Sequence, residues 1–440
     1  MTTSLPQGPG PIASGRTAWH VIIACYLGWM LDAFDFFIMV FVLNDVVRTF
    51  SVPVSAGAFA ITLTLACRFV GAVLFGRIAD HFGRRPTMMV NVLSYAVLEL
   101  LSGFAPTFTV FLILRALYGV AMGGEWGVGA SLVMESVPQR WRGPVSGLLQ
   151  TGYPTGYLMA SLLFIAEPAI GWRGMFIVGV VPALLVLYIR RAVPESPDWV
   201  ARTPGQRTES IFAVLRRNLG LTIFAACLMM GFNFFSHGSQ DLYPSQFLTR
   251  LHHLPHGTVT LIMIVFNLGA IIGGLGAGFL SQRIGRRWAI GIMAMLALPA
   301  IPIWLFSNGV AWLALGGFLI QVCVQGAWGV VPAYLNEISP PAIRATFPGA
   351  VYQLGNFLAA GNANLQLWLA GLVGGIGGSM AIVVGAAALL ITLLVAFGRE
   401  ARDVRMGHDR LAHDRREHAS LVGATDAITS AETARRLHLH

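Results

Sequence analysis

The chain has 440 residues, of which 55% are hydrophobic and only 11% are charged, and its formal net charge is +9 at pH 7. Soluble domains carry about 25% charged residues, so this composition argues against a water-soluble enzyme. The four cysteines lie in apolar runs without paired spacing, which excludes a disulfide scaffold and a CxxC metal site. Every basic residue is an arginine, and most arginines lie between apolar runs, where they indicate membrane topology instead of nucleic-acid binding.

Apolar runs long enough to cross a membrane recur along the chain. The first covers about residues 19–43, and we expect no cleavable signal peptide before it, because the preceding residues lack an apolar core. Further candidate spans centre near residues 67, 96, 120, 154, 181, 231, 268, 297, 322, 357 and 387. Since a transmembrane helix needs about 20 apolar residues, the sequence predicts an all-α membrane protein with 12 transmembrane helices.

The arginines between these spans predict the orientation of the chain. They fall on alternate connections, at Arg84 and Arg85, Arg140 and Arg142, 190–217, 283–287, Arg344 and beyond Arg399. Because cytoplasmic loops carry the excess of arginine, both termini are expected in the cytoplasm, beneath a plasma (inner) membrane. We predict a cytoplasmic N-terminal segment at 1–18, six-helix bundles at 19–190 and 218–398, a cytoplasmic linker at 191–217 and a solvated polar tail at 399–440.

The two predicted bundles repeat each other at a constant offset of 202 residues. The matched residues are of types that apolar sequence does not match by chance: glycine, arginine, tryptophan, glutamate and proline. They pair Gly76 with Gly278, Gly83 with Gly285, Arg84 and Arg85 with Arg286 and Arg287, Gly124, Trp126 and Gly127 with Gly326, Trp328 and Gly329, and Glu135, Pro138 and Arg142 with Glu337, Pro340 and Arg344. Two like-oriented halves are typical of a rocker transporter with its site at the midplane.

The connection between spans two and three, GRIADHFGRR at residues 76–85, resembles the gating-loop motif of the major facilitator superfamily. Its repeat has Gln282 in place of Asp80. Glu135 to Arg142 and Glu337 to Arg344 resemble the cytoplasmic charge relay of the same superfamily, and PESP at 194–197 resembles its end-of-sixth-helix motif. The alternative is plain topogenic charge. The resemblance implies a major facilitator fold of two pseudo-symmetric bundles, gated by Asp80, Arg84, Arg85, Glu135, Arg142, Arg286, Arg287, Glu337 and Arg344.

Ionisable residues also occur inside the predicted spans, where each charge costs about 2.5–3.5 kcal/mol and so needs an interior partner. They are Asp32, Asp35, Arg68, Glu99, Arg115, Glu125, His237 and Asp241. Arg68, near the centre of its span, is the first choice for binding an anion, whereas Glu99 and Glu125 are equally compatible with structural ion pairs. Arg115 begins an RxxxGxxxG pattern that resembles the fourth-helix motif of proton-coupled members of the superfamily.

Span seven carries the most informative pattern, NFFSHGSQD at residues 233–241. Asn233, His237 and Asp241 follow i, i+4, i+8 and therefore share one face of a helix. The pattern resembles the span-seven motif of fungal lactate/pyruvate permeases, although the threonine of that motif is replaced by Ser245. Residues 28–37 and 347–356 resemble the same branch, the sialate:proton symporters, which includes bacterial lactate and sialate carriers. The alternative is a polar seam between helices.

Together, these features lead to the hypothesis of a symporter that imports a small monocarboxylate, lactate or pyruvate first, by alternating access. Arg68 or Arg115 would bind the carboxylate, and Asn233, His237, Gln240, Gln353 and Asn356 would bind the other polar groups of the substrate. Proton uptake would fall to Asp32, Asp35, His237 or Asp241. The partners expected are the organic anion, the proton and the lipid bilayer, with no nucleic acid and with function as a monomer.

Other classes of function have weaker support in the sequence. A larger organic acid, sialate or an aromatic carboxylate, is the alternative substrate, and a non-transporting nutrient sensor is the alternative protein class. No HExxH, GxSxG or GKS/T motif occurs, so we expect no enzyme activity, no metal and no cofactor besides the proton gradient. His252, His253 and His256 could bind a metal, but an exposed polar loop explains them more simply.

Overall fold

A computed structural model describes residues 15–202 and 210–406 of the chain. Most of the predicted N-terminal segment, part of the linker and most of the polar tail lie outside the described residues. Within these two ranges all regular structure is helical. The first half contains α1 (Gly15–Phe41), α2 (Val54–Phe82), α3 (Arg84–Gly103), α4 (Phe108–Gly123 and Glu125–Ser136), α5 (Gln139–Gln150 and Gly152–Phe164) and α6 (Glu167–Val178 and Pro182–Ala192).

The second half repeats this order. It contains α7 (Leu219–Gln240, extended by a π-helix at Tyr243–Leu251), α8 (His256–Ile284), α9 (Arg286–Leu305), α10 (Val310–Ile338), α11 (Thr346–Leu358 and Asn362–Val373) and α12 (Ile376–Phe397). Short helices at Leu43–Thr49, Pro197–Val200 and Ile211–Arg217 lie between the long ones. The face at which α1 begins and α12 ends is called the terminal face below, and the other is called the opposite face.

Nine of the helices in the described ranges are long and apolar enough to cross a membrane on their own. The other three are α3, which carries charged and amide side chains, and α5 and α11, which are each interrupted near the middle. Packing completes these three: α3 contacts α4 and α6, α5 contacts α1 and α8, and α11 contacts α2 and α7. The predicted fold of 12 transmembrane helices in two six-helix bundles is therefore confirmed.

Glycine shapes the connections that the repeat shares. Gly83 (φ 114°) and Gly285 (φ 100°) each end one helix and start the next, in a backbone conformation that favours glycine. The helices that follow need a partner for their first N–H groups. In the first half the carboxylate of Glu195 accepts from the N–H groups of Arg84 and Arg85, and Glu400 does the same for α9. The two tight turns are thus capped by acids distant in sequence.

Glycines also set how closely the helices approach. A Cβ atom added at Gly119 would lie 2.2 Å from the carbonyl oxygen of Thr64, and one added at Gly123 would lie 2.0 Å from that of Arg68. The glycines of the RxxxGxxxG pattern therefore bring α4 into backbone contact with α2. This contact fixes the depth at which the second helix presents Arg68.

The two halves touch each other at the terminal face. A Cβ atom added at Gly143 of α5 would lie 2.5 Å from the carbonyl oxygen of Gly278 in α8, so no larger residue fits between these backbones. Likewise, Gly76 of α2 lies against Thr346 at the start of α11. Between them, the hydroxyl of Ser146 donates to the carbonyl oxygen of Gly329 over 2.7 Å. These contacts close the terminal face of the molecule.

Residues 399–406, here called the C-terminal strap, lie across this closed face. Glu400 holds them to α9, while Arg142 of α5 donates to the carbonyl oxygen of Val404 over 2.7 Å. The tail was expected to be solvated from residue 399. Ala401 and Met406 are instead buried, and the carbonyl oxygens of Arg402 and Val404 accept from α5, whereas the residues between them include exposed ones. The remainder, 407–440, lies outside the described residues.

Candidate functional site

A cavity of about 280 Å³ lies between the two halves near the middle of the long helices. α1, α2, α5, α7, α10 and α11 line it. Thr62 and Leu65 of α2 and Phe357 of α11 lie towards the opposite face and are solvent-exposed, so the cavity opens to that side. Because the terminal face is closed, the structure holds a central site that is accessible from one side of the membrane.

Arg68 is the arginine that lines this cavity. Its Nη2 atom lies 3.0 Å from Oδ2 of Asp32 on α1, and both side chains are buried. The Nε atom of Arg68 and Oδ1 of Asp32 have no hydrogen-bond partner in the described ranges. The pair is therefore only half satisfied by the protein, so an anion entering the cavity can compete with Asp32 for the guanidinium.

The predicted polar stripe of α7 forms the wall facing Arg68. His237 contacts Asp241 (Nδ1 to Oδ1, 3.2 Å) and Asn356 of α11 (Nε2 to Oδ1, 3.4 Å). Gln240 donates to Oγ of Ser236 over 3.1 Å. The side chains of His237 and Asp241 are 40% and 37% exposed, so this wall of the cavity is accessible to solvent. The stripe therefore joins α7 to α11 through side-chain hydrogen bonds.

Aromatic rings form the floor of the cavity. Trp29 packs against Tyr153 (centroids 5.6 Å apart), and Tyr352 packs against Trp328 (5.5 Å) and Trp126 (4.8 Å). The floor thus runs from one half to the other. The indole N–H of Trp126 donates to Gln150 over 3.3 Å. Flat, polarisable rings beside a cation suit a ligand with an apolar or conjugated body and one charged end.

Arg115 and Asp35 lie behind the cavity, inside the first half. The Nη2 atom of Arg115 lies 2.6 Å from Oε2 of Glu99, and its guanidinium lies 4.2 Å from the ring centroid of Tyr118. Neither Arg115 nor Asp35 is among the lining residues. The structure therefore brings Arg68, Asn233, His237, Gln240, Asp241 and Asn356 together around the cavity. Asp32 contacts it through Arg68, and Gln353 accepts a hydrogen bond from Asn356 over 3.0 Å.

Asp80 forms the centre of a buried polar cluster that joins the two halves at the terminal face. It accepts hydrogen bonds from the backbone N–H groups of Ala345 (3.2 Å) and Thr346 (3.1 Å) and from the hydroxyl of Thr346 (2.7 Å). A carboxylate of the first half therefore caps a helix of the second, where the helix dipole favours negative charge. Arg84 (3.1 Å) and Arg202 (3.3 Å) pair with the same carboxylate.

The repeat places Gln282 at the equivalent position of the second half. Its side-chain oxygen accepts from the N–H of Gly143 over 3.2 Å, again across the interface between the halves. Each half thus accepts a hydrogen bond from the equivalent backbone N–H of the other half, that of Ala345 or of Gly143. Only Asp80 contributes a full charge, so the contact between the halves is stronger on its side.

The other predicted gating residues lie on the same face. Glu135 pairs with Arg84 (3.1 Å), and Glu337 pairs with Arg286 (2.9 Å). Arg85 donates to the carbonyl oxygen of Arg190, and Arg287 donates to that of Val395 over 2.6 Å, so each caps a helix end. The two remaining arginines reach other partners: Arg142 donates to the strap, and Arg344 donates to Asp198.

With this geometry established, the sequence can be compared with known proteins. Residues 20–218 and 219–363 match the family described as sugar (and other) transporter. The chain belongs to this family. A probable 4-methylmuconolactone transporter of Cupriavidus pinatubonensis is 29% identical over 79% of this chain and 82% of its own length. The sialic acid transporter NanX of Escherichia coli is 27% identical over 87% of this chain and 96% of its own length.

The sugar (and other) transporter family also accounts for the architecture. The crystal structure of XylE, a proton:xylose symporter of the major facilitator superfamily, superposes with a TM-score of 0.73 at 20% identity, covering 90% of this chain and 98% of XylE. The fold is therefore the major facilitator fold. As a member of this family, the chain is a multi-pass membrane transporter and not an enzyme, as the sequence predicted.

Several residues of the site were not predicted from the sequence. Asp198 and Arg202 of the linker pair with Arg344 and Asp80 at the terminal face, and Glu195 and Glu400 cap the helices that start there. Burial raises the pKa of Glu195, although hydrogen bonds from the N–H groups of Ser196 and Arg84 oppose the shift. Burial, reinforced by Arg84, lowers the pKa of Arg202. The PESP motif was the available signal for the linker. For the aromatic floor, the available signal in the sequence was the tryptophan that repeats at positions 126 and 328.

Proposed function

We propose that this transporter is a proton-coupled symporter that imports an organic monocarboxylate by alternating access. The observation that carries the proposal is Arg68, which lines the cavity with a guanidinium only half satisfied by Asp32. Guanidinium groups bind carboxylates in bidentate geometry, and these charge-assisted hydrogen bonds are about twice as strong as neutral ones. The polar wall of α7 and α11 then provides partners for the remaining oxygens of the substrate.

Binding of the substrate anion should be accompanied by uptake of a proton, because the buried charges must stay balanced. When a substrate carboxylate takes Arg68, the buried Asp32 loses its cation, and a buried carboxylate without a partner favours its neutral form. Asp35, His237 and Asp241 are the other predicted proton-carrying groups. One anion moving with one proton is electroneutral. A potential of 100 mV, which contributes about 2.3 kcal/mol per net charge, would then add nothing.

The cavity favours an unsaturated or aromatic acid as the first candidate substrate. Its lining of Trp29, Tyr153, Trp328 and Tyr352 suits a flat body, and its volume of about 280 Å³ lies near the lower end of small-molecule sites. The 4-methylmuconolactone transporter supports an acid of this kind by its similarity. Lactate or pyruvate is the second candidate, because the α7 stripe resembles the motif of lactate/pyruvate permeases. The same resemblance supports the sialate:proton symporter branch.

The sidedness follows from the arginine-rich loops, all of which lie on the terminal face. We place this face in the cytoplasm, with the chain in the plasma (inner) membrane. On this assignment the structure is outward-facing: the cavity is open to the outside and the gate of Asp80 is closed. The cavity is enclosed by one chain, which supports a functional monomer in the lipid bilayer.

The purified protein in proteoliposomes tests the proposal directly. With an acidic exterior and a clamped potential, labelled benzoate, nicotinate, lactate, pyruvate and sialate are compared in turn. We expect accumulation of at least one carboxylate, abolished by a protonophore and unchanged by voltage at fixed pH. Strong stimulation by voltage alone would reject the stoichiometry of one proton per anion.

The same assay separates the alternatives. Uptake of benzoate or nicotinate without lactate would establish the first candidate, and the reverse would establish the second. Absence of uptake for every acid by a folded carrier would contradict the proposal. A non-transporting sensor would still bind an acid, so binding without exchange would identify it.

Replacing His237 with alanine is expected to reduce proton-driven uptake by at least about tenfold, or about 1.4 kcal/mol. The substitution removes both the contact with Asp241 and the link to Asn356 on α11. Initial rates of uptake at equal membrane expression measure the effect. His20→Ala serves as the control, because His20 contacts Tyr188 far from the cavity. Normal transport by the His237 variant would remove the α7 stripe from the site.

A further inference from the structure

Glu125 is an acid that the proposed cycle does not use. It begins the second segment of α4, directly after the break at Gly124, and is 1% exposed. Neither of its carboxylate oxygens has a hydrogen-bond partner among residues 15–202 and 210–406. An ionised carboxylate in such a place costs several kcal/mol. The surroundings of Glu125 in this conformation therefore favour the neutral acid over the carboxylate.

The internal repeat shows that the fold does not need this acid. The sequence Gly124–Glu125–Trp126 of the first half corresponds to Gly326–Ala327–Trp328 of the second. Both halves build the same part of the molecule around the glycine and tryptophan, so an alanine suffices structurally. The acid of the first half is thus retained at an energetic cost that the second half avoids.

The neighbour of Glu125 is fitted to it. A Cβ atom added at Gly28 of α1 would lie 2.3 Å from Oε1 of Glu125, so the glycine leaves the room that the carboxyl group occupies. At the offset of 202 residues, Gly28 corresponds to Met230. The first half therefore combines glycine with glutamate where the second combines methionine with alanine. At the two positions of each half, one residue is small and the other large, with the sizes exchanged between the halves.

The surroundings connect Glu125 to the substrate site. The charged and titratable groups that interact with it electrostatically are Cys25 and Asp32 of α1, Arg68 of α2 and Tyr95 of α3. The cation among them is Arg68, the residue proposed to bind the substrate. A carboxylate on Glu125 and a carboxylate in the cavity would therefore compete for the same positive field, and Asp32 opposes both.

We propose that Glu125, in place of Asp32, carries the transported proton and that its competition with the substrate for Arg68 couples the two; this inference rests on the proposed symport. A bound substrate anion neutralises Arg68 and favours the carboxylic acid of Glu125. By thermodynamic reciprocity, the protonated acid favours substrate binding. When the terminal face opens and the substrate leaves, the acid releases H⁺, and its carboxylate is stabilised by Arg68.

Glu125→Gln tests this assignment, because glutamine has nearly the same shape and cannot release a proton. In proteoliposomes we expect the variant to exchange substrate across the membrane at the wild-type rate in counterflow. Accumulation driven by a pH gradient is expected to fall about 5- to 150-fold, the usual range of coupling between two sites. A pH-sensitive dye should also show that substrate no longer changes proton binding by the purified variant.

A second variant guards against misfolding. Gly28→Met combined with Glu125→Ala gives the first half the residue pair of the second, and we expect the same loss of accumulation with retained counterflow. Glu125→Asp should restore accumulation with a shifted pH profile. Wild-type-like accumulation by Glu125→Gln would overturn the inference, as would loss of counterflow by the folded variant, which would indicate a packing role. If the wild type itself does not accumulate substrate with protons, the proposed symport fails instead.

Discussion

Arg68→Gln is expected to weaken substrate binding by about 10- to 150-fold, since hydrogen bonds to charged groups contribute about 1.5–3 kcal/mol. Arg68 lines the cavity, and its guanidinium is shared with Asp32 alone among its described ion-pair partners. Glutamine retains hydrogen-bonding capacity and loses the charge. The apparent affinity therefore falls, while the aromatic floor and the α7 stripe still hold the rest of the substrate.

The experiment needs to separate lost binding from lost stability. Removing one partner of a buried ion pair costs about 3–5 kcal/mol, because the other charge is left behind. The double variant Arg68→Gln with Asp32→Asn removes both charges and serves as the stability control. Counterflow at a series of substrate concentrations gives the apparent affinity of each variant. An unchanged affinity in Arg68→Gln, with a loss in Arg115→Gln, would transfer the anion contact to Arg115.

Asp80→Asn is expected to open the terminal face. The carboxylate of Asp80 accepts three hydrogen bonds from Ala345 and Thr346 and pairs with Arg84 and Arg202, and all these groups are buried or nearly so. Asparagine keeps the size but loses the charge, at a cost of about 3–5 kcal/mol to the closed state. A shift of about 5.5 kcal/mol carries a two-state equilibrium from 1:99 to 99:1. The population should therefore move strongly towards the inward-facing form.

A cysteine at position 146 reports this shift. Ser146 is buried between the halves, where it donates to Gly329, so Ser146→Cys is protected from thiol reagents while the terminal face is closed. In a background with the four native cysteines replaced by serine, adding Asp80→Asn should increase its reactivity. Gln282→Ala is the matched control on the other half. This substitution removes one neutral hydrogen bond between the halves, of about 0.5–1.5 kcal/mol, and one from Arg286 within the same half, so it should shift the equilibrium far less. Equal protection with and without Asp80 would show that the gate lies elsewhere.

The fold and the polar wall of the cavity could be predicted because their signals are local or repeated. Helical spacing put Asn233, His237 and Asp241 on one face, and the structure places all three around the cavity. The repeat of Gly83 and Arg84 at Gly285 and Arg286 located the turns of both halves. Such features depend on a few neighbouring residues, so a single sequence reveals them.

The remaining parts of the site depend on contacts between distant segments. Arg68 and Arg115 look alike in sequence, and only the packing of α4 on α2 turns the first to the cavity and the second to Glu99. The partners of Arg344 and Arg142 lie 146 and 262 residues away, in the linker and the strap. The aromatic floor draws its rings from five helices, none of which has an aromatic pattern of its own.

The C-terminal strap offers a way to watch the transporter at work. It is tied to α9 through Glu400 and to α5 through Arg142, and these helices belong to opposite halves. Separation of the halves at this face must break one attachment in every turnover. A fluorophore attached to a cysteine in place of the exposed Arg405 should therefore change its emission intensity once in each transport cycle. A partner that bound the strap and held both attachments in place would therefore slow uptake.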